Sequence, residues 1–213
     1  AQSFLPPPTR EEKGKAILAP EEVIKIGEDD PTLIVGTSTA RFWVEDQYGN
    51  WIQEESRLLA KADTVYLWIP DKYVSSSSTA NNDNKVNQSQ INLLKEKFNG
   101  ASPYTGTEGI RALVSNIFGT EDGGELDGNG GIDADQHISI LLYDIDYDYE
   151  SSQTGGVLGY FWEKDEYSDA QMQAYGLRSN EKEMFYLDVH FLDRFPMIMV
   201  SCLSHEYQHM IHF

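Results

Sequence analysis

The chain has 213 residues, 40% of them hydrophobic and 12% aromatic, with 35 acidic side chains against 16 basic ones and a net charge of −19. That is enough apolar material for a core, and the excess of acid excludes phosphate backbones and anionic membrane surfaces as natural partners, because both would be repelled. A single cysteine, Cys202, excludes a disulfide framework and a cysteine-built metal site, and no run of about 18 apolar residues offers a membrane span.

Residues 1–31 are rich in Pro, Glu and Lys without periodicity and read as an irregular lead-in. They open "AQSFLPPPTR", which lacks the basic start and apolar centre of a signal peptide. From 32 to 70 the texture becomes β-rich. "TLIVG", "ARFWVED", "WIQEESRLLAKA" and "DTVYLWIPD" are β-branched and aromatic runs separated by turn residues, which predicts an antiparallel meander. The third of these runs also fits a helix.

Residues 71–213 read as one further unit. "VSSSSTANNDNKVNQSQ" is an exposed polar connection. "SQINLLKEKFNG" places Ile91, Leu94 and Phe98 at helical spacing with Gly100 as a stop. "TGTEGIRALVSNIFG" predicts a second helix, with Thr107 as its cap and Gly119 as its end. "HISILLYDI", "GGVLGYFWE" and "EMFYLDVHFL" predict three strands.

Between the second helix and the first of those strands lies "ELDGNGGIDADQ", a near-match to a calcium loop. Asp127, Asn129 and Asp133 alternate as side-chain ligands, Gly130 falls at the sharp turn, and the Gly131 carbonyl is placed as a backbone ligand. Glu125 and Gln136 depart from the pattern at its two ends. No Lys or Arg occurs between Arg111 and Lys164, so mutual repulsion of the acids favours a bound cation. A solvated acidic turn is the plain alternative.

The last element, "FPMIMVSCLSHEYQHMIHF", is apolar almost all round, with Pro196 where a first helical turn tolerates it. Such a helix is expected to be buried on every side. Within it, His205, Glu206 and His209 spell HExxH. Residues four apart on a helix are rotated by about 40° and separated by about 6 Å, so the two imidazoles can share a zinc ion while Glu206 sits beside them as general base. Zinc there would lower the pKa of water toward about 7 and polarise a peptide carbonyl. Polar groups inside an apolar helix are costly unless satisfied, which also favours a metal. For the third ligand, His212, Cys202, Asp188 and His190 are all weaker candidates than a Glu or Asp beyond residue 213.

"HEYQHMIHF", preceded by "SNEKEMFYLDVHF", "GYFWEKDEY" and "DGNGGIDADQHISILLYDID", resembles the hyicolysin-like family of bacterial secreted zinc metallopeptidases in order and spacing, from Asp63 to the end of the chain. The resemblance implies an α+β fold in which the meander leads into a zincin-like twisted sheet with a buried active-site helix. It implies His205 and His209 as zinc ligands, Glu206 as catalytic base, a downstream Glu as third ligand, and a peptide or protein substrate. It further implies a secreted protein in mature form, its signal peptide removed. In such folds an extended substrate pairs with a sheet edge beside the metal, and "GGVLGYF" is the candidate edge, its glycines allowing close approach. A plain hairpin is the alternative there. The rival reading of the whole chain is a non-catalytic calcium-dependent binding or adhesive module with a vestigial HExxH.

Overall fold

A computed structural model describes residues 32–76, 85–102, 106–121, 131–147 and 155–213. The lead-in 1–31 therefore lies outside the described residues. Six strands form one sheet: β1 (Thr39–Glu45), β2 (Trp51–Ala62), β3 (Val65–Ile69), β4 (Ile138–Tyr143), β5 (Gly159–Phe161) and β6 (Met184–Asp188). Their order across the sheet is β1-β2-β3-β4-β6-β5. The meander β1–β2–β3 is antiparallel, β3, β4 and β6 run parallel, and β5 returns antiparallel to β6 at the edge. The meander and the later strands thus belong to a single mixed sheet.

"WIQEESRLLAKA" is a strand throughout: its register against β1 and β3 fixes it, with one irregularity between Leu58 and Ala60. "TLIVG" is not a strand. Its backbone turns, with the Ile34 N–H donating to the Ser38 hydroxyl at 2.8 Å, and pairing begins only at Thr39.

Alternation in the three central strands builds two cores. Val65, Leu67, Ile69, Ile138, Ile140, Leu142, Phe185 and Leu187 face the helices. Tyr66, Trp68, Leu141, Tyr143, Met184 and Tyr186 face the other way, joined there by Phe42, Val44 and Leu58 from the meander. On that second side Lys164 is almost fully buried. Its ammonium pairs with Asp165 at 2.7 Å and lies over the rings of Trp51, Trp162 and Tyr186. The sheet curls enough for Asn180 to reach edge strand β1. The Asn180 side chain accepts from the Trp43 N–H at 2.6 Å and donates to the Trp43 carbonyl at 3.1 Å, satisfying backbone groups that an open edge would expose.

The helices are α1 (Gln88–Lys95), α2 (Ile110–Phe118), α3 (Asp169–Gln173), α4 (Val189–Arg194) and α5 (Pro196–His212). Asn87 and Gln90 form a capping box on α1, which runs into a wider turn ending at Gly100. The cap of α2 is Gly109, not Thr107. A side chain at 109 would strike the Phe98 carbonyl at 2.3 Å, and Gly119 ends the helix at φ +96° as expected.

"EMFYLDVHFL" divides into β6 and α4 rather than forming one strand. The Asp188 carboxylate accepts from the His190 and Phe191 N–H groups and so starts the helix. Helices α4 and α5 break at Phe195 (φ −134°, ψ 58°), because a residue before proline avoids the α conformation. Among the described residues no helix is long and apolar enough to cross a membrane.

Candidate metal centre

Helix α5 packs one face on the sheet through Met199, Val200, Cys202, Leu203, Glu206, Tyr207 and Met210, all buried. The opposite strip is open: Met197, Ile198, Ser201, His205, His209 and His212 are exposed. The expectation of burial on every side is therefore corrected. Met197 and Ile198 look like core residues in the sequence, yet they lie on the same strip as the histidines. Burial cost gives no argument for a metal at His205 and His209, since both residues are exposed; it applies only to Glu206.

The two rings stand perpendicular, and their Nε2 atoms are 3.0 Å apart. Two nitrogens each about 2.0–2.1 Å from one tetrahedral ion would be separated by roughly 3.3 Å, so the pair fits two positions of a zinc shell. Glu206 points inward and is 4% exposed. Burial raises its carboxyl above the ordinary range, while His205, His209 and a bond from the Cys202 thiol oppose that rise. The Cys202 Sγ lies 3.6 Å from Glu206 Oε1, and burial together with this carboxylate pushes the thiol pKa up to about 12. The Phe161 N–H of edge strand β5 also donates to the Glu206 carboxylate. The Cys202 contact follows from i, i+4 spacing on α5, whereas the Phe161 bond is not legible from spacing, because it depends on how the edge strand meets the helix.

The fold brings "GGVLGYF" to this place: β5 is an edge strand of the sheet and lies against α5. Gly159 makes the approach possible, since a Cβ there would meet the Tyr186 carbonyl at 2.7 Å and Cys202 Sγ at 2.9 Å.

Other ligand candidates are engaged elsewhere. Asp188 caps α4 and accepts from the Ile145 N–H. His190 lies on α4, 3.6 Å from Asp144. The His212 ring packs edge-on against Phe118. Among the described residues no group of three His, Cys, Asp or Glu side chains is arranged to hold a metal ion.

Of the candidate calcium ligands, Asp127 and Asn129 lie outside the described residues. Gly131 adopts φ +60°, and its α-carbon faces Glu183 so closely that a Cβ would fall 1.8 Å from Glu183 Oε1. The same Oε1 accepts from the Ile132 N–H at 2.9 Å. Asp133 is paired with the Lys182 ammonium at 2.7 Å, and Asp135 with His137 at 2.5 Å. Lys182 is the counter-charge that a search for bases between Arg111 and Lys164 misses, because it arrives from the bend just before β6.

No family model matches this sequence. Over 169 residues it is 27% identical to the neutral metalloprotease ShpI of Staphylococcus hyicus, the alignment covering 73% of this chain and 29% of that protein. The chain thus spans less than a third of the length of the relative it matches. The likeness, distant and partial, is to a metalloprotease.

Proposed function

We propose that the chain carries part of the active site of a zinc-dependent endopeptidase, with His205 and His209 as ligands and Glu206 as general base. The observation that carries this reading is the pair of Nε2 atoms 3.0 Å apart on α5, with a buried carboxylate beside them that also touches edge strand β5. The distant likeness to a metalloprotease supports it.

Bound zinc would supply Lewis acidity to a peptide carbonyl and to water. The chain's own residues do the rest. Glu206 accepts a proton from the attacking water and delivers it to the leaving amine. Phe161 and Cys202 hold the carboxylate in place for both transfers. An extended substrate lies along the outer edge of β5, where backbone pairing fixes its carbonyl beside α5. The third ligand is a carboxylate outside the described residues, a Glu or Asp following Phe213 in the full-length protein. Such a chain fits a twisted zincin-like sheet backed by its active-site helix, and a protein that works outside the cell.

The rival calcium-dependent module rests on the acidic loop, whose described candidate ligands are Gly131 and Asp133, with Asp133 held by Lys182. Stripping the full-length gene product with a chelator should end peptide hydrolysis, and zinc should restore it. Hydrolysis that survives complete removal of the metal would end this reading.

A further inference from the structure

Tyr207 sits two residues after His205 and two before His209. With about 100° of turn per residue it faces away from the imidazole pair, into the protein. It is fully buried, its ring edge-on to Phe98 at 5.4 Å. Its hydroxyl is held from two sides: it donates to a Glu121 carboxylate oxygen, and the Ser115 hydroxyl of α2 lies 2.7 Å away. The second Glu121 oxygen accepts from Arg111 Nη2 at 2.7 Å. Glu121 and Arg111 are themselves 3% and 8% exposed.

We propose that Tyr207, backed by Glu121, Arg111 and Ser115, is a positioning residue that sets the roll of α5 and so the aim of His205 and His209 at a shared ion. This rests on reading that pair as zinc ligands. Side-chain tips lie about 5–6 Å from a helix axis, so a roll of about 20° would carry each imidazole nitrogen roughly 2 Å. Metal–ligand distances tolerate only about 0.2 Å. Apolar packing is non-directional and does not fix roll that tightly; a hydroxyl bonded to a charged acceptor does. Its place on the back of the helix, midway between the two ligands, holds both with one contact.

The test is Tyr207→Phe in the full-length gene product, which keeps the ring and removes the hydroxyl. Zinc affinity is measured by competition with a chromogenic chelator, kcat and KM at saturating zinc, and the thermal midpoint alongside. Zinc should bind about 10–100-fold more weakly, as when second-shell partners are lost, and kcat should fall with KM unchanged. Glu121→Gln, which retains an acceptor for Tyr207, should recover most of the affinity that Glu121→Ala loses. Phe42→Leu, in the core on the far side of the sheet, should lower the midpoint and leave zinc affinity alone. Wild-type affinity and kcat in Tyr207→Phe, with only a lower midpoint, would overturn the proposal while sparing the zinc reading. A wild-type protein that takes no zinc would overturn both.

Discussion

His205 and His209 on α5, and Gly131 and Asp133 in the acidic turn, both carry the spacing of a metal site, but their surroundings differ. The imidazoles share an exposed strip, nitrogen facing nitrogen across 3.0 Å. Asp133 has turned to Lys182, and Gly131 is pressed against the Glu183 carboxylate. A helix presents i and i+4 on one face whatever the rest of the chain does. A loop presents its carboxylates to whichever partner the tertiary fold supplies, and here that partner is 49 residues away in sequence.

The comparison breaks first at the histidines. His209→Ala should remove stoichiometric zinc from the full-length protein and lower peptide hydrolysis by more than about 100-fold, since loss of second-shell partners alone reaches that. Retention of both would place the metal elsewhere. Gly131→Ala should destabilise the fold by about 2 kcal/mol or more in urea unfolding, because φ +60° strains a residue with a β-carbon and the Glu183 carboxylate occupies the space it would need. A neutral outcome would show that Glu183 can move aside.

Lys182→Met should cost about 1–2 kcal/mol at pH 7 by leaving Asp133 without its counter-charge. The loss should shrink as pH falls and Asp133, its carboxyl already raised by burial, takes a proton. The same deficit at pH 4 and pH 7 would mean that the lysine contributes packing rather than charge.

Asp188 gives the smallest effect, a change of slope. Burial pushes its carboxyl up to about 6, against the bonds it accepts from Phe191 and Ile145. Between about pH 4 and pH 6 the folded chain holds a proton that the unfolded chain releases, so this group's contribution to stability falls as pH rises through that window. Asp188→Asn keeps an oxygen to cap α4 and should flatten the curve there. An unchanged slope would show that Asp188 is not the group that sets it.

What was legible follows the same division. The meander, β4 and α5 could be read because alternation and helical spacing are local. The β6–α4 boundary was missed because "MFYLDVHFL" is apolar at either period, although Asp188 was there as a helix-starting residue. The open strip of α5 was missed for a different reason: Met197 and Ile198 are exposed apolar residues, and composition alone places them in a core. The role of Phe161 beside Glu206 depends on Gly159 letting an edge strand close on the helix, a contact that no local pattern encodes.

The central claim, that α5 binds zinc and Glu206 moves the proton, meets its most direct test in Glu206→Gln of the full-length protein, assayed for zinc content and peptide hydrolysis together. The account predicts wild-type zinc and turnover reduced by about 10²–10⁴-fold, the range that general acid–base catalysis supplies. Turnover at the wild-type rate, with zinc in place, would contradict it.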